Sequence, residues 1–410
     1  MSHRVVVTGL GGLTALGHDW PDIREQLRAR RSGVRVMHEW ANVQSMNTRL
    51  GVPVAPYDLP EHYTRKRTRS MGPVAVMSVR ATELALHDAG LLDDPILRGG
   101  ATGIAYGACA GSAEAICDLA DVRTHRDLRT INSRTYLQMM SHTGAVNISL
   151  FFGITGRLIP TTSACTSASQ AIGFGYESIQ SGKQTVMIAG GGEELSVGTI
   201  GMFDRLFAAS TRNDNPDATP RPFDRDRDGL VVGEGAATLV LEELEHARAR
   251  GATIHAEVVG FGTNCDGAHV TQPLPERMSQ VMRLALADAG LDAGAIGYVN
   301  AHGTATQAGD VAESHATHEV FGSAIPISSL KGNFGHTLGA CGSLEAWVAI
   351  EMMREGVIVP TLNLDNPDPE CAPLDYIIGS DRRLDAEYFM SNNFAFGGVN
   401  TSLIFRRWAD

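Results

Sequence analysis

At 410 residues, 43% of them apolar and 20% charged, the chain has an ordinary globular composition and the length of two or three domains or one large duplicated unit. Its formal net charge of −12 disfavours nucleic acid as the main partner, and the lack of any apolar run of 18 residues excludes a membrane-spanning helix. Six scattered cysteines (Cys109, Cys117, Cys165, Cys265, Cys341, Cys371) form no C-x-x-C pair and read as the reduced thiols of a cytoplasmic protein.

The N-terminus enters a strand-like run, Val5-Val-Val-Thr-Gly, at once, which leaves no room for a signal peptide. The following Gly9-Leu-Gly-Gly-Leu-Thr14 resembles a dinucleotide fingerprint, but the third glycine and the later acidic residue are missing. Arg65-Lys-Arg-Thr-Arg69 is a basic run on an acidic chain. Leu84-Ala-Leu-His-Asp-Ala-Gly-Leu91 has helical apolar spacing and a glycine placed to stop the helix. Thr102–Gly107 reads as a strand. In Pro160-Thr-Thr-Ser-Ala-Cys-Thr-Ser-Ala-Ser-Gln170, apolar extended sequence hands over to a helix-compatible stretch, Ala168 to Ile179. Cys165 therefore sits near a helix N-terminus, where unpaired N–H groups and the helix dipole favour an anion and are expected to lower the thiol pKa. It is either a nucleophile or a buried structural thiol. Met187-Ile-Ala-Gly-Gly-Gly192 is a small-residue strand, and 213–222 is the most loop-like stretch.

A charged segment meets Gly251 between Leu244 and Ala252, and the chain then starts again. Ala256-Glu-Val-Val-Gly260 parallels the first strand. Leu284-Ala-Leu-Ala-Asp-Ala-Gly-Leu291 repeats the earlier helix with one change in eight residues. Ile296–Asn300 parallels Thr102–Gly107, and the segments around Cys165 and His336 each follow an Ile-Pro (Ile159-Pro160, Ile325-Pro326). This order implies two copies of an α/β half-fold, residues 1–250 and 251–410, with Cys165 in the first and two glycine-flanked histidines in the second. His302 lies in Asn300-Ala-His-Gly-Thr-Ala-Thr-Gln-Ala-Gly-Asp310, and His336 in Lys331-Gly-Asn-Phe-Gly-His-Thr-Leu-Gly-Ala-Cys-Gly342. Packing histidines rarely have glycine beside them, so the pair selects the nucleophile reading for Cys165. His315 and His318 have metal-ligand spacing on a helix but no third ligand nearby.

With Arg221-Pro-Phe-Asp-Arg-Asp-Arg-Asp-Gly229, Gly233-Glu-Gly235 and Asn392-Asn-Phe-Ala-Phe-Gly-Gly-Val-Asn400, these segments resemble the β-ketoacyl-[acyl-carrier-protein] synthases of the thiolase superfamily almost end to end. The resemblance implies a thiolase-like fold, with two α/β halves in an α-β-α-β-α layering. It also implies a decarboxylating condensation. Cys165 would carry the acyl group, and the N–H groups of Cys165 and Phe396 would hold the oxyanion. His302 and His336 would stabilise the enolate as neutral N–H donors, with an acid–base role for one of them as the alternative. Lys331 and Glu313 would form an ion pair behind them, with Asp310 completing that shell. Thr304 and Thr306 would bind the phosphopantetheine arm, and Lys66 and Arg69 the acidic carrier protein. No metal or resident cofactor is implied, since phosphopantetheine arrives on the carrier. The family is dimeric, and Met187–Gly192 is expected near the interface.

Two residues depart from the family pattern. Thr166 follows the nucleophile where Ala is usual, and Ala395 stands between two phenylalanines where Gly is usual. The run from Phe394 to Asn400 reads as a mobile loop, with Phe396 as a gate whose opening Ala395 restricts. A coenzyme A thiolase is disfavoured because no cysteine lies in that loop and Cys341 and Cys371 lie in other contexts. A non-catalytic chain-length factor is disfavoured by intact Cys165, His302, His336 and Lys331. Fatty-acid elongation is the leading expectation. The alternative is a ketosynthase of a specialised polyketide, aryl-polyene or pigment pathway, as a homodimer or with a chain-length-factor partner.

Overall fold

Strands rich in Val, Ile, Ala and Gly that are buried on both faces show no polar alternation, and the first of them, β1 (Val5–Leu13), is buried at all nine positions. The structure, a computed structural model, describes residues 2–409. The other strands of the main sheet are β2 (Thr102–Gly107), β3 (Leu158–Thr161), β4 (Val186–Glu193), β5 (Gly235–Glu243), β6 (Ala256–Cys265), β7 (Ile296–Asn300), β8 (Pro326–Ser328), β9 (Asp375–Tyr376), β10 (Tyr388–Phe394) and β11 (Val399–Arg407). They hydrogen-bond in the order β9-β8-β7-β10-β11-β6-β1-β5-β4-β2-β3. Each half runs in the same sense. β1 and β5, and β5 and β4, are antiparallel, while β4 and β2, and β2 and β3, are parallel; β6, β11, β10, β7 and β8 repeat that pattern. The halves meet at a short antiparallel pairing of Val5–Val7 with Ala256–Val258.

Six helices matter to the site: α1 (Pro73–Asp88), α2 (Ser167–Gln180), α3 (Val197–Arg205), α4 (Pro275–Ala289), α5 (Gln307–Phe321) and α6 (Cys341–Glu355). α1 covers β1, β5 and β4 on one outer face, and α4 covers β6 and β11 on the other, with α5 beside it. α2 and α6 pack on each other and on strands of both halves. They form the middle of an α-β-α-β-α stack, as expected. The repeat is visible atom by atom. Asp88 accepts the Leu10 N–H at 2.9 Å, and Asp288 accepts the Phe261 N–H at 3.0 Å. The Gly9-Leu-Gly-Gly run is packing: a Cβ at Gly9 would fall 2.2 Å from the Ala85 carbonyl, so α1 rests directly on the strand backbone.

Two expectations are corrected. Met187–Gly192 belongs to β4, which lies inside the sheet between β5 and β2 with every residue buried, so it offers no surface of its own. The segment 394–400 is a tight hairpin. Phe394 pairs with Asn400, and only 395–398 turn, pinned by Ala395 N–H to Val399 O (2.8 Å) and Gly397 N–H to Val270 O (2.8 Å). Gly397 (φ 93°) and Gly398 (φ 73°) supply the left-handed backbone this turn needs.

Candidate active site

Parallel strands β3 and β8 both end facing the middle layer, and each delivers a turn followed by a central helix. After β3, Ala164 takes a left-handed φ of 50°, so Cys165 is presented at the head of α2. After β8, Leu338 does the same with φ 46° ahead of α6, which places His336 opposite. His336 Nε2 lies 3.0 Å from Cys165 Sγ. The N–H groups of Cys165 and Phe396 both point at that sulfur. They are the two N–H groups that the resemblance expects to hold the oxyanion. The cavity above it, about 290 Å³, is lined by Cys165, His302, His336, Thr304, Thr306 and Phe396.

Hydrogen bonding fixes the tautomers. His336 Nδ1 accepts the Leu338 N–H at 3.2 Å. His302 Nδ1 lies 3.2 Å from both Lys331 Nζ and Asn393 Nδ2, groups that can only donate. Both rings therefore carry their proton on Nε2, facing the cavity. Burial first, and then the positive charge of Lys331, hold both imidazoles well below their usual pKa, so they stay neutral N–H donors. The ligating atoms of Cys165, His302 and His336 lie within 4.8 Å of one another. A metal on Nε2 would require Nδ1–H to face an acceptor, whereas here both Nδ1 atoms face donors. The arrangement suits donation to a developing anion.

Lys331 does not pair with Glu313. Its Nζ donates to Glu345 Oε1 at 2.5 Å; both side chains are buried, and the attraction outweighs the cost of burial, so the ammonium is kept. Glu313 instead accepts the His302 and Gly303 N–H groups, each at 2.7 Å, and holds the loop that carries the histidine. Asp310 does the same one turn away, accepting from Thr304 (2.9 Å), Ala305 (3.1 Å) and Phe223 (2.6 Å). Burial raises Glu313 to about 8 and Asp310 to about 6. The Thr304 and Thr306 hydroxyls lie 2.9 Å apart on the cavity wall. Lys66 and Arg69 are exposed and, among the described residues, have no ion-pair partner, whereas Arg67 donates to Phe151 O and lies over the Phe151 ring. His315 and His318 join no metal-ligand cluster among the described residues.

The thiol is not where the helix dipole alone would put it. Cys165 is 6% exposed, and burial pushes its pKa up to about 11 against the pull of Lys331 and the two N–H groups. Its stabilisation is reserved for the thiolate as it forms. Cys341, set aside from the sequence, lies against the site and donates its S–H to Cys165 O at 3.1 Å.

Sequence reasoning also missed Glu345, Asn393 and Arg227. Glu345 is the only charge between Thr337 and Ile350, a signal that it was bound for a buried partner. Asn393 bridges His302 and Glu345, the latter at 2.9 Å. Arg227, from the Arg-Pro-Phe-Asp motif, is buried beside Asp310 and Asp368 and donates to the Thr306 and Gln307 carbonyls, bracing the same loop.

A half-sheet repeated about a buried Cys–His–His centre defines a carbon–carbon condensing enzyme of thiolase-like architecture. Beta-ketoacyl synthase N-terminal and C-terminal domains match residues 2–247 and 255–365, and the chain belongs to the beta-ketoacyl synthase family. It is 38% identical over 415 residues to the 3-oxoacyl-[acyl-carrier-protein] synthase 2 of Vibrio cholerae (98% of this chain, 99% of the relative). It is 36% identical over 421 residues to synthase 1 of Escherichia coli (99% and 100%). A crystal structure of a beta-ketoacyl synthase from Burkholderia phymatum superposes with TM-score 0.98 at 59% identity, covering 99% of this chain and 100% of that one. The ishigamide ketosynthase/chain length factor gives 0.90 at 31%, covering all of both chains.

Proposed function

We propose that the protein condenses an acyl group, held as a thioester on Cys165, with malonyl-acyl carrier protein to give 3-oxoacyl-acyl carrier protein in fatty-acid elongation. One observation carries this reading: a single sulfur meets two backbone N–H groups and a neutral imidazole N–H, with a second Nε2–H free toward the same cavity. Cys165 attacks the acyl-carrier thioester as its thiolate, its new C–S bond replaces the old one, and the departing carrier thiolate takes up the proton that Cys165 released, leaving as its thiol. Malonyl-carrier enters next. Its bond to CO₂ breaks, and the electron pair moves into an enolate oxygen held by His302 and His336 Nε2–H. The enolate carbon attacks the acyl carbonyl, whose oxygen sits on the Cys165 and Phe396 N–H groups, and collapse expels the Cys165 thiolate. Lys331, Glu345 and Asn393 hold His302 in the donating tautomer throughout.

The chemistry needs no metal or resident cofactor, because phosphopantetheine arrives on the carrier. Unpaired Lys66 and Arg69 suit docking of an acidic carrier protein, and Thr304 and Thr306 suit its arm. Exposed Leu128, Tyr136 and Leu150, with β3 at the sheet edge, support a homodimer. The place of action is the cytoplasm. A second reading, elongation in a specialised pathway beside a chain-length-factor partner, is favoured by the 31% identity to the ishigamide ketosynthase/chain length factor. The test is condensation of malonyl-carrier with a panel of acyl-carriers, read by mass spectrometry. Saturated primers loaded on Cys165 and extended by two carbons support the first reading. Extension only of polyunsaturated or aryl primers, or only with an added subunit, supports the second. No primer on Cys165 sinks both.

A further inference from the structure

The cavity over Cys165 opens past the end of α3, and its mouth carries a residue that folding does not explain. α3 closes in a Schellman motif, with Phe207 N–H to Asp204 O (3.1 Å) and Ala208 N–H to Phe203 O (3.0 Å). The residue after the cap must turn left-handed, and glycine usually fills it. Here it is Phe207, at φ 53°. Phe207 is 85% exposed, more than any other large apolar residue among the described residues. A strained backbone and a solvated aromatic ring are both unfavourable, and no packing offsets either. Phe207 lines the same cavity as Cys165, together with exposed Val270 and with Thr306 and Gln307.

We propose that Phe207 is a binding platform for the branched, dimethyl-bearing pantoyl segment of the phosphopantetheine arm. The inference rests on the condensing reaction above. A cavity of about 290 Å³ admits a flexible arm but not a carrier helix, so the arm crosses this mouth to reach the buried sulfur. The dimethyl carbon is the arm's one branched apolar group and lies at the end away from its thiol. With the thiol at Cys165, that end falls at the mouth, and the arm's amides fall beside Thr304 and Thr306. Phe207 thus acts on affinity and placement, not on bond making.

Phe207→Gly removes the ring and installs the residue the backbone prefers, so the variant keeps or raises its melting midpoint. Acyl transfer to Cys165 is compared on two carrier-free thioesters: acyl-pantetheine, and acyl-N-acetylcysteamine, which lacks the pantoyl segment. The ratio of their kcat/KM values is expected to fall about tenfold, the factor for two methyl groups returned to water, with kcat held and Phe207→Tyr restoring the ratio. Equal losses on both thioesters would make the ring structural and overturn the proposal. So would a loss seen only with carrier-bound substrate, which would assign the ring to the carrier protein, or no change at all. Calorimetric binding of free pantetheine to Cys165→Ala, with and without Phe207→Gly, reads the contact without any reaction. A tenfold weakening there beside a dead condensation assay would sink the reaction and leave the platform standing.

Discussion

The outer helices α1 and α4 have kept near-identical C-terminal ends, Leu84–Leu91 and Leu284–Leu291, while the inner helices α2 and α6 have diverged. α1 and α4 do one job twice, lying on glycines of β1 and β6 and capping a strand N–H with Asp88 or Asp288, so the same residues serve both. α2 and α6 keep only the scaffold of a left-handed residue and a short turn at the helix head. On that scaffold one half places a thiol and the other an imidazole. At Gly339, in the turn ahead of α6, a Cβ would fall 2.7 Å from Glu193 Oε2 and 2.8 Å from Cys109 N, leaving no room there for any side chain. Packing conserves a repeat, and chemistry breaks its symmetry.

Breaking the inner pair has the largest effects. Cys165→Ala is expected to lower condensation by at least about 10³-fold and abolish the acyl-enzyme seen by mass spectrometry, with an unchanged melting curve. Glu345→Leu strands the buried Lys331 ammonium and should cost about 3–5 kcal/mol in denaturant unfolding. It should also slow decarboxylation of malonyl-carrier, since His302 loses its orientation. Lys331→Met combined with Glu345→Leu should be more stable than Glu345→Leu alone, a coupling that a surface pair would not show.

The pH dependence sharpens the point that burial, not the dipole of α2, sets the resting state of the thiol. With its pKa up at about 11, the Cys165 thiolate fraction at neutral pH is small, and iodoacetamide alkylation should keep rising about tenfold per pH unit beyond pH 9. A plateau below pH 9 would restore the dipole reading. His302 and His336 act with the opposite sign on stability. Their folded pKa values lie below 6.5, so below that pH the unfolded chain takes up protons that the folded chain refuses. The histidine contribution to the unfolding free energy should therefore decline as pH falls from 6.5, opposed by Glu313 and Asp310, whose raised pKa values favour the folded chain as pH falls, so it is read as the difference in denaturant unfolding between this chain and His336→Phe across that range.

What was legible in the sequence follows the same division. The repeat, the layered fold and the positions of Cys165, His302 and His336 could be read because glycines and short motifs mark backbone turns locally. The partners behind them could not. Lys331 meets Glu345, fourteen residues on in α6, only once the chain between them folds back, and Glu313, which the resemblance pairs with Lys331, is taken up by backbone N–H groups. Cys341 looked remote for the same reason. A helix N-terminus, which favours a low thiol pKa, is visible in sequence, whereas enclosure by both halves, which raises the Cys165 pKa, is not.

On the conserved side of the comparison, Gly9→Ala and Gly260→Ala should behave alike. Each Cβ would fall within 2.5 Å of an α1 or α4 carbonyl oxygen, so each should destabilise by about 1–3 kcal/mol in thermal or denaturant unfolding. A large difference between them would show that the halves no longer share one packing scheme.

The smallest effect is expected at Ala395. As a departure from the family pattern it suggests a brake on the Phe396 gate. In the structure the left-handed positions of the turn are Gly397 and Gly398, and Ala395 is not among the residues with positive φ. Its N–H and carbonyl are both used, to Val399 and from Gly398, in a conformation alanine adopts without strain. Ala395→Gly should then loosen the hairpin by about 0.5–1 kcal/mol through backbone entropy. Acyl transfer to Cys165 should change less than about twofold across chain lengths, because glycine relieves nothing in this turn. A variant that loads long primers several-fold faster would show instead that the open form of the turn, and not the one described here, is where the methyl group matters.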